Sequence, residues 1–267
     1  GKLGLTSTAI ADKGGKEKVY VPIDKGAKET RKLGGVVSIH AGAKSNSIES
    51  IKNNEQFQRR IKYDITKNYV DLMEIGQLKD IDTHWKMIFP VTGLEKPLII
   101  CSDNHNILKY VSKAPLWFKA DPTFRGLLMV LREPRDRVYI GERPPEIVRV
   151  EQNPTKYIHG VSFQRKTGTS TSDEWFKGSI LFNHGLVAIV GNKGSGKSAL
   201  ADALGLLGST KKTEFSFLNK ERFCHPTVGF AENFNATIEW ESGERVTKCL
   251  SDVIKPEEIE RLKYLPQ

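Results

Sequence analysis

The sequence has few cysteines and no long apolar run. Its 267 residues include three cysteines, Cys101, Cys224 and Cys249, which stand far apart. An odd number of widely spaced cysteines forms neither a disulfide framework nor a CxxC motif, so we expect a reducing compartment and a cytoplasmic protein. No apolar run approaches the roughly 20 residues that span a bilayer. We therefore expect no membrane partner.

Acidic residues are fewer than basic ones. Lys and Arg number 41 against 32 Asp and Glu, which gives a formal net charge of +9. This excess favours a polyanionic partner such as nucleic acid, DNA in the first place, although diffuse positive charge also aids solubility. Residues 1–35 hold eight basic and four acidic side chains. They are either a solvated loop region or a basic lip over an anionic substrate.

Alternating strand and helix patterns predict an α/β fold. Strands are predicted over 36–40, 70–75 and 97–101, and a further short one over 19–23. Helical spacing is found over 48–52, 57–70, 81–89 and 123–131. Strands that alternate with helices favour a mostly parallel sheet or barrel, in which chemistry sits at the carboxyl ends of the strands. A mixed-charge segment closed by Pro144 and Pro145 marks a domain boundary.

A phosphate-binding loop motif lies in the second half of the chain. An apolar run over 186–190, which predicts a buried strand, leads into G-N-K-G-S-G-K-S and then into an apolar helix over 199–207. Strand, loop and helix in this order are the context of G-x-x-x-x-G-K-[ST]. Its glycines let backbone N–H groups turn toward phosphate oxygens, its Lys adds a cation and its Ser ligates Mg²⁺. We therefore expect ATP and Mg²⁺, bound by Gly191, Asn192, Lys193, Gly194, Ser195, Gly196, Lys197 and Ser198. The alternative is a glycine-rich turn without a ligand.

The segment after this loop predicts an antiparallel meander. Strands over 228–231 and 236–240 precede a turn over 241–244 and a return strand over 245–250. This order resembles the first lobe of ABC-type ATPase heads of the SMC kind, and the final Tyr-x-Pro-Gln resembles their Q-loop. The resemblance implies that Gln267 contacts Mg²⁺ and the attacking water, and that two heads pair in a homo-oligomer. An ordinary strand that ends on a Gln is the alternative.

The ATPase resemblance is incomplete. ABC-type heads also need a signature helix and a Walker B segment with a catalytic Glu, and the sequence contains no such apolar run ending in Asp-Glu. Two alternatives remain: the second lobe lies beyond residue 267, or the head is inactive.

Acidic and imidazole side chains follow two apolar runs in the first half of the chain. Asp103 and His105 come directly after the run over 97–101, and His40 ends the run over 36–40. In an extended chain, residues i and i+2 project to the same side. A carboxylate beside an imidazole suits Mn²⁺, Fe²⁺ or Zn²⁺. A surface Asp-x-His pair without a metal is the alternative.

The order of these segments resembles a known family. V-S-I-H-A-G over 37–42, D-L-M-E-I over 71–75 and S-D-N-H-N over 102–106 resemble the second half of PHP-domain phosphoesterases. With R-V-Y-I-G-E-R-P-P over 137–145 and the phosphate-binding loop, they resemble the TrlF-type family. In that family a PHP domain is fused to an SMC-like ATPase, and its members are implicated in antiphage defence. The resemblance implies a partial PHP-type (β/α) barrel followed by a P-loop NTPase lobe.

The resemblance implies a metal site as well. His40, Asp103 and His105 match metal-ligand positions and would be catalytic, with Mn²⁺, Zn²⁺ or Fe²⁺; Ser198 and Gln267 would ligate the metal of the nucleotide site. Glu74 is interpreted as structural. The family's N-terminal His-x-His is absent, because residues 1–35 contain no His. Either the first half of the barrel lies upstream of Gly1, or the PHP unit is degenerate.

The sequence therefore predicts three parts. Residues 1–35 form a basic, loop-rich part of the PHP unit, residues 36–149 the C-terminal part of the PHP-like domain with a connector, and residues 150–267 the first lobe of an SMC/ABC-type head. We expect an ATP-dependent nucleic-acid-processing enzyme, a metal-dependent nuclease coupled to a P-loop ATPase. The alternatives are an ATP-switched DNA-binding or scaffold protein with a vestigial PHP domain, and a small-molecule phosphatase.

Overall fold

A computed structural model describes residues 6–12, 14, 19–44, 46–50, 55–102, 104, 106–169, 177–227 and 229–265. It divides the chain into two compact units, Gly1–Pro144 and Pro145–Gln267. The boundary predicted at 149/150 falls inside a helix, Pro145–Gln152, which belongs to the second unit. Both units mix helices with sheets, so the predicted α/β class is confirmed.

The first unit is built on a parallel sheet of three strands. The strands are β1 (Ser38–Ala41), β2 (Leu72–Ile75) and β3 (Leu98–Ile100), in the order β1-β2-β3. Ser38 lies opposite Leu72, and Met73 lies opposite Leu98. Helical connections run between these parallel strands, as parallel pairing requires. Strands β2 and β3 are mostly buried, whereas Ser38 and His40 of β1 are exposed. These three predicted strands are parallel, as the alternation of strands and helices indicated.

Helices and short turns precede, connect and follow these strands, and some of them complete the core of the sheet through side chains such as Ile65, Trp85 and Phe89. They are α1 (Ser7–Asp12), α2 (Ile23–Lys32), α3 (Glu55–Tyr69), α4 (Lys79–Thr83), a π-helix (His84–Ile88), α5 (Phe89–Thr92) and two 3₁₀ turns, Ile48–Ser50 and Ile107–Lys109. Val70, Ile75 and Phe89 are among the buried side chains of the core. The predicted strand over 19–23 is wrong. Residues 19–22 lie in no regular element and Ile23 begins α2, because the chain beyond Pro22 continues in helical conformation.

The last part of the first unit is a small antiparallel pair with two helices. Strands β4 (Leu116–Phe118) and β5 (Val138–Ile140) flank α6 (Phe124–Arg132) and α7 (Pro134–Arg137). Thr123 caps α6, since its hydroxyl accepts from the Gly126 N–H at 3.0 Å. The helix predicted over 123–131 is thereby confirmed to within one residue at its C-terminal end.

The second unit is an antiparallel sheet covered by one helix. After α8 (Pro145–Gln152) and a 3₁₀ turn (Pro154–Lys156), the strands are β6 (Ile158–Arg165), β7 (Gly178–Leu181), β8 (Phe234–Trp240) and β9 (Arg245–Cys249), in the order β7-β6-β8-β9. Helix α9 (Lys197–Leu207) packs on β8 and β9. Its buried face, Ala203, Leu206 and Leu207, joins Phe234, Ile238 and Trp240 in one core.

The predicted meander is right in its hairpin and wrong in its first strand. The β8–β9 hairpin closes where it was predicted, with the Trp240 N–H donating to the Glu244 carbonyl at 2.9 Å. Strand β8 pairs on its other side with β6, about 70 to 80 residues earlier in the chain (234 − 165 to 240 − 158), rather than with the residues immediately before it. Of the stretch 228–231, the described residues end in a 3₁₀ turn, Ala231–Asn233, and Val228 lies outside them.

Among the helices of the described residues, none is both long enough and apolar enough to cross a membrane.

Candidate functional site

Residues 191–198 form a tight loop at the amino end of α9. Gly194 and Gly196 adopt φ of 84° and 89°, in the left-handed region that favours glycine. The Ser195 N–H donates to the Asn192 carbonyl at 3.2 Å and closes the turn. A Cβ at Gly191 would lie 2.5 Å from the Ser195 hydroxyl oxygen, so a larger residue there would require the Ser195 side chain to move. The glycine spacing of the motif is therefore explained by the shape of the loop.

The amino end of α9 adds positive potential to this loop. Gly196 is the residue before the helix, and α9 runs for 11 residues with a buried apolar face that anchors it. The first N–H groups of a helix have no partner within the helix, and its dipole places partial positive charge at that end. Such an end is a favourable location for a phosphate or another anion.

Lys197 lies within the loop and faces its carbonyl oxygens. Its ammonium group donates to the Gly191 carbonyl at 2.8 Å and to the Asn192 carbonyl at 2.9 Å. These contacts hold the cation at the centre of the loop. A phosphate that approaches there can replace a carbonyl with a charged acceptor, which forms a stronger hydrogen bond with an ammonium group.

The loop opens on a cavity of about 700 Å³. It is lined by residues 193–199 together with two side chains from outside the motif, Phe217 and Arg222. Among these described lining residues, Lys193, Lys197 and Arg222 carry positive charge and none carries a carboxylate. A cavity with one aromatic wall and three cations suits a ligand that joins a flat ring to anionic groups.

Phe217 and Arg222 were not found by sequence reasoning. They lie 20 and 25 residues after Lys197 (217 − 197 and 222 − 197), with no fixed spacing to the glycines. Their segment has no regular secondary structure, and Phe217 stacks on Phe223 at a ring distance of 4.9 Å. The only available signal was the presence of aromatic and basic residues in a short irregular segment after the helix.

The strand predicted over 186–190 is wrong. These residues lie in no strand, and their apolar side chains face outward, with Leu186 98% and Val190 87% exposed. The segment is tied down just before this point, where His184 Nε2 lies 2.7 Å from a carboxylate oxygen of Glu241. An apolar β-branched run specifies extended backbone but does not supply a neighbouring strand. In the described part of the chain, no strand forms a ladder with residues 186–190.

The carboxyl-terminal segment lies in the described residues only as far as residue 265. Gln267, predicted as a Q-loop residue, lies outside the described residues. The strand predicted for this segment is wrong for residues 261–265, which form no regular element. They are held instead by hydrogen bonds to the Gly208 carbonyl from the Arg261 and Leu262 N–H groups, at 2.8 and 3.2 Å.

The predicted metal ligands are described only in part. His40 lies on β1 and is exposed, opposite Glu74 on β2, while Asp103 and His105 lie outside the described residues. Glu74 forms an ion pair with the buried Lys44, which accounts for its charge without a metal. Within the residues that the structure describes, no three His, Cys, Asp or Glu side chains form a group that could hold a metal ion.

Comparison of this chain with protein-family models, with curated proteins and with solved structures gives no match in any of the three.

Proposed function

We propose that the second unit binds a nucleoside triphosphate, with ATP as the ligand and Mg²⁺ as its counterion. The observation that carries the proposal is the loop at residues 191–198: two glycines in left-handed conformation, a lysine held at the centre and a helix that begins at Lys197. Each of these features favours an anion at the same place.

The residues of the loop fit this ligand. Lys197 would balance the charge of the terminal phosphates, and the loop N–H groups and the end of α9 would bind their oxygens. The Ser198 hydroxyl would ligate Mg²⁺, which supplies charge neutralisation of the phosphates when bound. Phe217 would pack against the flat base, and Arg222 would add a second cation beside the phosphates.

We propose further that nucleotide binding controls a metal-dependent phosphodiesterase, a nuclease of antiphage defence, in the same chain. This part is supported by the resemblance of segments within residues 37–106 to the second half of PHP domains, by the resemblance of residues 36–267 to the TrlF-type family and by the net charge of +9, which suits a DNA substrate. The described residues do not by themselves assemble a metal site, and of the three proposed ligands only His40 lies among them. An ATP-switched binding protein and a small-molecule phosphatase remain the competing functions.

The nucleotide proposal is tested by titration with a fluorescent ATP analogue in the presence of Mg²⁺. We expect saturable binding that Lys197→Ala weakens by about 100-fold, since a charge-assisted contact to phosphate is worth about 1.5–3 kcal/mol. Lys212→Ala is the matched control, because Lys212 is exposed, lies in the same unit and does not line the cavity. Equal weakening by both substitutions would show that only general positive charge attracts the analogue.

The nuclease proposal is tested separately. Plasmid and linear DNA are incubated with the protein and Mn²⁺ or Mg²⁺, with and without ATP, beside His105→Ala and the control His225→Ala. Metal-dependent cleavage that His105→Ala alone abolishes is the expected result. Binding of ATP without cleavage under any of these conditions would favour the ATP-switched binding protein, and cleavage of a nucleotide monophosphate but not of DNA would favour the phosphatase.

A further inference from the structure

A buried carboxylate connects the helix of the candidate site with two other segments of the second unit. Asp202 lies on α9, five residues after Lys197, and is fully buried. One of its oxygens, Oδ2, accepts from the backbone N–H groups of Phe217 and Leu218 at 2.6 and 3.1 Å. The other, Oδ1, accepts from the Tyr264 hydroxyl at 2.6 Å.

The first two of these hydrogen bonds act on the wall of the cavity. Phe217 lines the cavity, and its segment has no ladder or helix of its own to hold it. A carboxylate that accepts two consecutive N–H groups fixes the backbone at that point, and such charge-assisted bonds are stronger than neutral ones. The position of the aromatic wall relative to the loop at residues 191–198 therefore depends on Asp202.

The third hydrogen bond joins the carboxyl-terminal segment to the same carboxylate. The Tyr264 ring packs edge-on against Phe215 at 5.4 Å, and a Cβ at Gly205 would lie 3.3 Å from it. Burial and the hydrogen bond to Asp202 raise the pKa of Tyr264 to about 12, so its hydroxyl remains a donor even at alkaline pH, where an ordinary tyrosine ionises. Without this donor, one oxygen of a buried carboxylate would lose its partner.

We propose that Asp202 and Tyr264 are positioning residues for the nucleotide: the Tyr264–Asp202 hydrogen bond fixes the backbone of Phe217 and thereby sets the affinity of the cavity for the base. The inference rests on the proposed function of the cavity. It adds that the carboxyl-terminal segment, which does not line this cavity within the described residues, acts on nucleotide binding through α9.

A purely structural role would suit a different set of residues. A buried charge is costly to desolvate, and a protein in which well-packed apolar residues of similar volume replace buried charges is often equally or more stable. Asp202 instead accepts hydrogen bonds from one irregular segment, which contributes Phe217 to the cavity, and from one tyrosine of the carboxyl-terminal segment. The arrangement makes the position of Phe217 conditional on the position of Tyr264.

The experiment is a double-mutant cycle on nucleotide affinity. Dissociation constants for a fluorescent ATP analogue are measured for the full chain, for Tyr264→Phe, for Phe217→Ala and for the two combined. Tyr264→Phe keeps the ring and its packing on Phe215, so we expect the fold to be retained, and it removes only the hydroxyl. We expect it to weaken binding by about 3- to 10-fold, the usual effect of one hydrogen bond. In the Phe217→Ala background we expect no further weakening, since the side chain that transmits the effect is gone.

Thr247→Val is the matched control. It removes another hydrogen bond of the same unit, between the Thr237 and Thr247 hydroxyls at 2.8 Å on the exposed face of β8 and β9, away from the cavity. The control should leave the dissociation constant unchanged.

The outcomes separate this inference from the proposed function. If the unmodified chain does not bind the analogue, the proposed function fails and the inference with it. If the unmodified chain binds, the inference is overturned either by an unchanged dissociation constant in Tyr264→Phe or by an effect of Tyr264→Phe that persists in full when Phe217 is already alanine.

Discussion

The exposed apolar run at 186–190 makes the sharpest stability prediction. Leu186 is 98% exposed, so Leu186→Ser removes almost no buried apolar surface. We expect its effect on the free energy of unfolding of the second unit to stay within about 0.5 kcal/mol, as for other surface substitutions. Ile238 on β8 is fully buried at the centre of the core, so Ile238→Ala should cost about 2–5 kcal/mol.

A buried strand would give the opposite result for the first substitution. Burial of a leucine is worth about 1.5–3 kcal/mol, and an unpaired buried hydroxyl adds about 1–3 kcal/mol of cost. Leu186→Ser would then approach Ile238→Ala in severity. The effect of Leu186→Ser on the free energy of unfolding thus differs between an exposed and a buried segment by several times the uncertainty of the measurement.

The assay is amide hydrogen exchange followed by mass spectrometry, with protection of β8 peptides as the readout. Such peptides report the opening free energy of the second unit alone, which avoids treating two units as one cooperative transition. Ile238→Ala is the positive control in the same experiment. A loss of more than about 2 kcal/mol of protection in Leu186→Ser would refute the exposed placement of this run and restore the buried strand.

Two further predictions concern packing and pH. Gly208→Ala would place a Cβ 2.5 Å from the Leu262 side chain, so we expect it to lower the free energy of unfolding by about 1–3 kcal/mol, measured by thermal unfolding. Gly243→Ala has no atom near its Cβ but a φ of 81°, so it should show the cost of backbone strain alone. In the first unit, burial lowers the pKa of His84, but its contact with Glu49, 3.2 Å from Nε2, and its bond to the Asp80 carbonyl outweigh burial and raise that pKa above 6.5. Because this pKa is raised, protonated His84 stabilises the folded first unit fully below pH 6.5, and this stabilisation is lost as the pH rises through the folded-state pKa. Protection of α3 peptides from hydrogen exchange should therefore fall over that range in the unmodified chain. It should not change with pH in this way in His84→Gln.

Local patterns were enough to predict the elements whose partners lie nearby in sequence. The runs ending at Ala41, Ile75 and Ile100 form one parallel sheet. Strands β2 and β3 are mostly buried, and helices connect β1 with β2 and β2 with β3. The β8–β9 hairpin follows from alternation and a Ser-Gly turn, and α9 follows from the glycines that precede it. Each of these elements is specified by a few consecutive residues.

Contacts between distant segments were not predictable in this way. Strands β6 and β8 pair although the loop at residues 191–198 and helix α9 separate them in sequence. The run at 186–190 has the composition of a buried strand, but burial depends on a neighbouring strand that composition does not encode. Phe217 comes to the cavity because Asp202 holds its backbone, and no spacing rule relates a helix carboxylate to an irregular segment 15 residues later (217 − 202).

The central claim is that the loop at residues 191–198 binds the polyphosphate of a nucleotide. The most direct test is isothermal titration calorimetry of the full chain with ATP and with AMP, each with and without Mg²⁺, beside Lys197→Ala and Ser198→Ala. We predict one site per chain that binds ATP at least about 100-fold more tightly than AMP. Lys197→Ala should weaken ATP binding both with and without Mg²⁺, because Lys197 is assigned to the terminal phosphates. Ser198→Ala should weaken it only when Mg²⁺ is present, because Ser198 is assigned to the metal. Equal affinity for ATP and AMP, or an ATP affinity that Lys197→Ala leaves unchanged, would contradict the assignment of this loop to phosphate binding.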